Sequence, residues 1–307
     1  MITSLDAQSQ FFLTEMDRVQ QRLATAEQQV TSGKRVNVAS DAPDVVSSLL
    51  RLRSALQRNA QIQTNLGLAQ TAANVADDTL SSSIQLLDRA LTLGAQGATA
   101  TQDAAARRGL AINVQSLQEQ LVGLSQTQSG GRYLFSGDQE TLPAYQLNLD
   151  NPNGVDRLMT MSSTRVVENP AGGTFLASKT AEEIFDHRNL DDTLAPDNAF
   201  AALNNLRLAL ENNDVPGIQA AISSIQVASE HVNSSQAFYG SMQNRLQDSV
   251  NFANKYDIQI RTELSQKEDA DVAAASLEFS QGSVQLQAAF QMQGQLPRTT
   301  LFDFLAR

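Results

Sequence analysis

The sequence predicts a mainly α protein: a long antiparallel helical rod with N- and C-terminal helices paired as a coiled coil, plus a small inserted β-rich module. Three observations support this. Residues 234–294 contain no proline, and their apolar positions recur at helical spacing. Apolar residues near both ends of the chain repeat every seven residues, as they do in coiled coils. Four of the seven prolines lie within 142–196, where short β-branched segments replace the helical pattern.

The first helix is predicted to run from about Leu5 to Thr31 and to end at Gly33, which can adopt the left-handed conformation that closes a helix. Its apolar residues occupy two heptad positions, so they form a narrow seam. A seam of this width favours one partner helix over a broad core face. The two positions are filled by Leu5, Phe12, Val19 and Ala26, and by Met16, Leu23 and Val30.

The last long helix is predicted to span Ser234 to Gly294, which corresponds to roughly 90 Å at 1.5 Å per residue. After the acidic step at 268–271 its pattern also becomes heptadic. Val272, Phe279 and Leu286 share one position, whereas Ala275, Gly282 and Ala289 share the other. We predict that the terminal helices pair, and contact other subunits, through the N-terminal seam residues and through Val272, Phe279, Leu286 and Phe290. The alternative is that both segments are ordinary amphipathic helices of a bundle.

A second helix is predicted to begin near Pro43, with Ser40 or Asp41 as its cap and Asp44 in its first turn. It continues to Leu91 with one slip in the pattern near Asn59, and Gly94, Gly97 and the small residues to Thr101 are predicted to end it. A third helix follows over about 102–128. Long helices joined by short turns pack antiparallel, so these helices should form a bundle.

The middle of the chain is predicted to contain strands near 145–149, 158–161 and 164–167, with a turn at 151–154. Helix resumes near Asn198 and breaks at 213–217. We therefore expect three domains. They are 1–40 with 265–307 as a terminal coiled coil, 41–135 with 197–264 as a helical bundle, and 136–196 as an outer β-rich module.

Composition excludes several functions. The net charge of −11 argues against nucleic acid as a partner. The absence of cysteine excludes disulfides, thiolate chemistry and cysteine-based zinc sites. No apolar run is long enough for membrane insertion. The first residues have neither a basic region nor an apolar segment, so no cleaved signal peptide is expected.

The sequence predicts no catalytic, cofactor or metal site, and the protein is expected not to be an enzyme. The two histidines, His187 and His231, fall in different predicted domains and are interpreted as surface or hydrogen-bonded structural residues. Asp191 and Asp192 follow His187, but one imidazole with loop carboxylates is a weak metal signal. The acidic residues at 182–183 and 268–271 are interpreted as helix starts or solvated faces, and the paired arginines at 107–108 as solvated helix faces.

Two motifs resemble the flagellin superfamily of bacterial flagella. Near the start, the match consists of Ser32, Gly33, Arg35, Asn37 and Asp41. Near the end, it consists of Asn244, Arg245, Leu246, Asp269 and Asp271. The resemblance covers both helical arms.

Within that superfamily, two further features are similar to the family of hook–filament junction proteins. One is the segment with Arg132, Tyr133, Phe135 and Gly137, and the other is the tail with Leu301 and Phe302. Without the resemblance, these would be an ordinary hairpin with core aromatics and an apolar tail docked on the rod.

The resemblance implies a structural protein that joins hook to filament in the extracellular flagellum. It implies export in an unfolded state through the flagellar type III apparatus, with an export chaperone, and then self-association into a ring or tube. The implied neighbours are a hook-side junction protein and, on the filament side, a second junction protein or flagellin. No cofactor is implied. Two alternatives are a flagellin filament subunit and a coiled-coil adaptor or tether unrelated to flagella.

Overall fold

A computed structural model describes residues 2–295 except Thr164, with side chains from residue 10 to residue 292. The described residues are mainly helical, which confirms the predicted fold class. The helices are α1 (Ile2–Ser32), α2 (Pro43–Ala98), α3 (Ala104–Ser125), α4 (Ala181–Ile184), α5 (Ala199–Glu211), α6 (Val215–Glu268) and α7 (Val272–Gln295). None of these helices combines the length and apolar character needed to span a membrane.

The chain divides into two compact units, and both division points fall within long helices, α2 and α6. Unit 1 comprises Met1–Arg58 and Asp257–Arg307, and unit 2 comprises Asn59–Tyr256. The three-domain division expected from the sequence remains a prediction.

The single helix expected over 234–294 is wrong, because the chain breaks at 269–271 between α6 and α7. Asp271 starts the new helix: its Oδ1 accepts the N–H of Ala274 at 3.0 Å, as an N-cap side chain does. The break frees the Ala270 N–H to donate to the Gly33 carbonyl at 3.0 Å. The helical period of the sequence does not show this interruption, because it depends on a pairing partner more than 200 residues away.

Helix α2 ends at Ala98, within the segment from Gly94 to Thr101 that was predicted to end it, but the two glycines themselves do not interrupt the helix. Gly94 and Gly97 are buried inside the helix, which continues to Ala98. A Cβ at Gly94 would lie 2.8 Å from Cγ1 of Ile222, and one at Gly97 would overlap Leu210. These glycines therefore permit close helix packing, which offsets the entropy they lose in a helix.

Two polar residues of unit 2 explain further departures from the pattern. The slip at Asn59 places a buried amide against α6, where Nδ2 donates to the Ala253 carbonyl at 3.0 Å. Arg107 is buried and does not lie on a solvated face, contrary to the sequence interpretation. It donates to the carbonyls of Gly97 at 2.7 Å and Thr99 at 3.0 Å, and so satisfies acceptors left open at the end of α2.

The β structure of unit 2 consists of three separate antiparallel pairs. They are β1 (Gln128–Ser129) with β2 (Arg132–Tyr133), β3 (Tyr145–Leu147) with β4 (Val155–Arg157), and β5 (Val166–Glu168) with β6 (Thr174–Leu176). The predicted turn at 151–154 does connect β3 and β4. The strand expected at 158–161 is wrong, because pairing ends at Arg157.

An aromatic cluster joins the β pairs to the helices in one core. Ring centroids lie 5.9 Å apart for Phe135 and Phe185, and 5.2 Å apart for Tyr145 and Phe200. Tyr239 of α6 closes the cluster at 6.5 Å from Phe135, and burial raises its pKa to about 12. Unit 2 thus owes its core to large side chains drawn from most of its length.

A buried carboxylate cross-links the same core. Asp186 accepts hydrogen bonds from Asn153 at 2.9 Å, Arg188 at 2.9 Å, Asn198 at 2.8 Å and the Tyr145 hydroxyl at 3.1 Å. Burial, followed by the charge of Asp186, raises the pKa of Tyr145. The carboxylate therefore has the donors that a buried charge needs.

Candidate assembly interface

The terminal helices α1 and α7 pack against each other in unit 1, which confirms the predicted pairing; we call them the terminal pair. Leu23 lies over Gly282, where an added Cβ would be 3.3 Å from Leu23 Cδ1. Met16, Ala26 and Ala275 are buried in the same pair. On α7 it is therefore the small heptad position that meets α1, and small side chains allow the two helices to approach closely.

The large heptad position of α7 points largely to solvent in the described chain. Val272 is 44% exposed and Phe279 38%. Phe290, which lies outside this heptad position, is 54% exposed. Leu286 is half-buried, and Val30 of α1 is exposed. The sequence predicted the seam but not its orientation, because a heptad pattern does not tell which of its two apolar positions faces the nearest helix.

More large apolar residues of the terminal pair are exposed beside these. Leu277 and Val284 are seven residues apart, as are Val272 and Phe279, so α7 displays two apolar lines along its length. Phe11 and Leu13 of α1 are likewise exposed. The side chain of Leu5, also predicted for this interface, lies outside the described side chains.

A shallow apolar groove of about 220 Å³ runs between the two helices. Its apolar lining consists of Phe12, Met16, Val19, Ala289 and Met292. Phe12 and Val19, predicted as seam residues, thus lie at the rim of the pair and not in its closed centre. An apolar groove beside two apolar lines is typical of a protein–protein contact surface.

The signature residues at both ends of the chain meet in a second feature of unit 1, which we call the link junction. It joins the segment after α1 to the break between α6 and α7. The Arg35 N–H donates to the Glu268 carbonyl at 2.7 Å, and the Arg35 guanidinium donates to the Lys267 carbonyl at 2.9 Å. Gly33, with φ of 68°, accepts from the Ala270 N–H. Each of the two links therefore supplies hydrogen-bond partners for the backbone groups of the other.

Asp41 holds the first link in shape and does not cap α2 as predicted. Its Oδ2 accepts the N–H groups of Asn37 at 2.8 Å and Val38 at 2.9 Å. The Asn37 side chain in turn donates to the Lys34 carbonyl at 3.0 Å, and Ser32 Oγ accepts the Lys34 N–H at 3.1 Å. Short polar side chains fold the link because they replace missing backbone partners.

Glu268 is the charged centre of the link junction, and its interpretation as a solvated residue is wrong. Only 3% of it is exposed, and it forms ion pairs with Lys34 and, at 3.0 Å, with Arg53. Burial works to raise the pKa of Glu268, but the two cations outweigh it, so the pKa lies below its ordinary value. Asp269 accepts from Ser265 on the helix before it.

Most of the other signature residues belong to unit 2. Phe135 and Leu246 are core residues, and the Arg245 guanidinium lies 4.2 Å from the Phe175 ring centroid. Arg132 pairs with Glu140 at 2.9 Å, next to the half-buried Tyr133 in β2. Gly137 has φ of 61° and abuts the backbone of Ser162, so only glycine fits there. Asn244 is exposed, and Leu301 and Phe302 lie outside the described residues.

The two histidines, interpreted as isolated, are in fact neighbours in unit 2. Their rings stack with centroids 4.8 Å apart, and both face Asp197. No spacing rule could find this pair, because the two residues are 44 positions apart and only the packing of α6 on the loop before α5 unites them.

Family models match both helical regions of the chain. The bacterial flagellin N-terminal helical region matches residues 4–140, and the bacterial flagellin C-terminal helical region matches residues 222–305. The chain belongs to the bacterial flagellin family. The matched regions include the terminal pair and both halves of the link junction, so the signature residues sit in the part that defines the family.

Among curated flagellin relatives, the chain is 27% identical over 195 residues to flagellar hook-associated protein 3 of Escherichia coli. That match covers 60% of this chain and 58% of the relative, so the chain spans less than two thirds of that relative's length. It is 26% identical over 282 residues to flagellin of Bacillus subtilis, covering 87% of each protein.

Solved structures share the fold. A putative flagellar hook-associated protein from Vibrio parahaemolyticus superimposes with a TM-score of 0.64 at 20% identity, covering 75% of this chain and 100% of that one. Flagellar hook-associated protein 3 from Legionella pneumophila superimposes with a TM-score of 0.59 at 15% identity, covering 70% and 98%. About three quarters of this flagellin-family chain thus has a fold already seen in a solved structure.

Proposed function

We propose that this flagellin-family protein is a structural component of the bacterial flagellum that joins hook to filament. The observation on which the proposal rests is the terminal pair, which displays lines of large apolar residues that the chain itself does not cover. Relatives and structural neighbours named as hook-associated proteins support the position at the hook.

The exposed lines on α7 and the groove beside α1 fit neighbouring copies of the same chain. An isolated terminal pair leaves Phe279, Leu277 and Val284 in water, whereas a ring or tube of parallel copies buries them. An apolar helix face is covered well by another apolar helix, and every neighbouring copy of the chain presents such helices in its own terminal pair. We therefore propose self-association through α1 and α7.

We further propose neighbours on the hook side and on the filament side of this ring. A hook-side junction protein contacts one end of the ring, and a second junction protein or flagellin contacts the other. The protein reaches this place unfolded, through the flagellar type III apparatus and with an export chaperone, and it acts outside the cell. A cysteine-free chain whose arms bury little apolar surface alone suits that passage. Its role is structural and not catalytic.

One alternative has an observation in its favour. The match to Bacillus subtilis flagellin extends over 87% of the chain, further than the match to hook-associated protein 3, which favours a filament subunit. An adaptor unrelated to flagella is not compatible with membership of the flagellin family.

A deletion strain, examined by electron microscopy, separates the two roles. We expect intact hooks, no attached filaments and filament protein shed into the medium. Loss of the major filament protein itself would instead indicate a filament subunit, and normal flagella would contradict both roles.

Complementation with Phe279→Asp then tests the surface. Phe279 is partly exposed, so the variant should fold, but a carboxylate on the buried contact between copies should prevent attachment. The matched control is Ile112→Asp, which changes an exposed apolar residue of unit 2 and should restore motility. Equal motility of both variants would remove α7 from the interface.

A further inference from the structure

Three side chains from separate segments converge in unit 2: His187 after α4, Asp197 before α5 and His231 within α6. His187 Nδ1 lies 2.7 Å from Asp197 Oδ1, and His231 Nδ1 lies 3.1 Å from Asp197 Oδ2. One potential ligand atom from each residue lies within 4.8 Å of the other two. The family signature includes none of these residues, and the proposed assembly does not use them.

The hydrogen bond of His231 on the side away from Asp197 determines which ring nitrogen carries the proton. Nε2 lies 2.8 Å from the carbonyl oxygen of Glu183, which can only accept, so Nε2 must donate. In a neutral ring, Nδ1 then turns a lone pair toward the Asp197 carboxylate, which also only accepts. Two facing acceptors repel, so the position between them favours a positive charge.

A metal ion would supply that positive charge, and the three side chains offer the donor atoms that a transition metal prefers. Two imidazoles and a carboxylate are a usual donor set for Zn²⁺, with a fourth position left for water. Metal-binding histidines usually donate their other N–H to a carbonyl or carboxylate, as His231 does to Glu183. Tetrahedral ligands at about 2.1 Å lie roughly 3.4 Å from one another. The 3.1 Å between His231 Nδ1 and Asp197 approaches that value, whereas the 2.7 Å between His187 Nδ1 and Asp197 is a hydrogen-bond distance. Because the two rings are stacked within 7° of parallel, metal binding requires the partly exposed His187 ring to rotate until its lone pair points at the ion.

We propose that His187, Asp197 and His231 form a site for Zn²⁺ or a similar transition-metal dication. Bound metal ties the loop after α4 and the loop before α5 to α6. Because the unfolded chain lacks this arrangement, metal binding stabilises unit 2 and raises its melting temperature.

The full-length chain with its purification tag removed has two histidines, which makes a direct test possible. Histidine-selective ¹⁵N labelling should show both imidazoles shifting together as ZnCl₂ is added at neutral pH, with saturation at one equivalent. Calorimetry should give the same stoichiometry. Absence of saturable binding, or a shift of only one ring, would overturn the site. A shift of both rings on acidification without any response to zinc would also overturn it, because a proton would then fill the position.

Three variants test the ligand set. Asp197→Asn and His187→Ala should each weaken zinc binding at least about tenfold. Asp150→Asn, which removes the same charge as Asp197→Asn from an exposed turn, should not change it. Because His187 is partly exposed, the His187→Ala chain should remain folded, and circular dichroism verifies this. Unchanged affinity in His187→Ala or Asp197→Asn would assign the zinc to another place.

Discussion

The two units place their large apolar side chains in opposite ways. Unit 2 encloses its aromatic residues in one core, and Phe135, Phe185 and Phe200 are fully buried. In unit 1 the closed part of the terminal pair is made of Met16 and small residues, while phenylalanines of α1 and α7 remain in solvent. Unit 2 therefore covers its largest apolar side chains itself, whereas several of the largest apolar side chains of unit 1 stay exposed in the single chain.

The largest expected difference between the two units is in the stability lost when a phenylalanine is replaced by alanine. Phe200→Ala removes a fully buried ring and should lower the free energy of unfolding by about 3–5 kcal/mol. Phe11→Ala, the matched change at a residue that is 70% exposed, should alter it by less than about 0.5 kcal/mol. Urea unfolding of the two variants measures both effects. Similar losses would mean that unit 1 also depends on its phenylalanines in the single chain.

The sequence was sufficient for the elements that depend on local pattern. The start of α2 follows from Pro43 and Asp44 in its first turn, although Asp41 is not its cap. The start of α5, the turn at 151–154 and the pairing of the terminal helices follow from helix-start residues, turn residues and heptads. The break at 269–271 was missed because its cause is the backbone of Gly33 and Arg35 on the other arm. The role of the two glycines in α2 was predicted wrongly, because the sequence does not distinguish a glycine that ends a helix from one that allows another helix to pack closely.

The candidate sites were predictable to a smaller extent. Heptads predicted that α1 and α7 pack on each other, yet the residue that faces α1 is Gly282, and Phe279 is partly exposed. Glu268 and the cluster of His187 with His231 depend on partners far away in the chain. A single sequence carries no signal for such pairs, whereas the short distances between these side chains in the fold make them evident.

Acidification tests whether the link junction holds unit 1 together. The folded pKa of Glu268 lies below its ordinary value of 4.5. Its stabilising effect is therefore fully present above that value and is lost as the pH falls through the folded pKa. We expect the exchange protection of the Arg35 and Ala270 amides, corrected for intrinsic rates, to fall over that acidic range, while amides of the unit 2 core keep theirs.

Glu268→Gln provides the control for the pH effect. At neutral pH this variant should lower the opening free energy at the Arg35 amide by about 1–2 kcal/mol, reduced from a fully buried pair because Lys34 and Arg53 are half exposed. Glu263→Gln, on the same helix, should have almost no effect. If the pH dependence persists in Glu268→Gln, another group is responsible for it.

Glycine substitution gives the smallest expected effect and the finest contrast between the units. Gly240, within α6 in unit 2, has open space around its missing Cβ, so Gly240→Ala should stabilise by about 0.5–1 kcal/mol through helix propensity. Gly282→Ala gains the same propensity but places a methyl group 3.3 Å from Leu23 Cδ1, so its net effect on the terminal pair should be near zero. Adding Leu23→Ala should restore the gain from alanine at 282, as a double-mutant cycle of amide exchange can measure. An equal gain at 240 and 282 in the otherwise unchanged chain would show that α1 and α7 are not closely packed at Gly282.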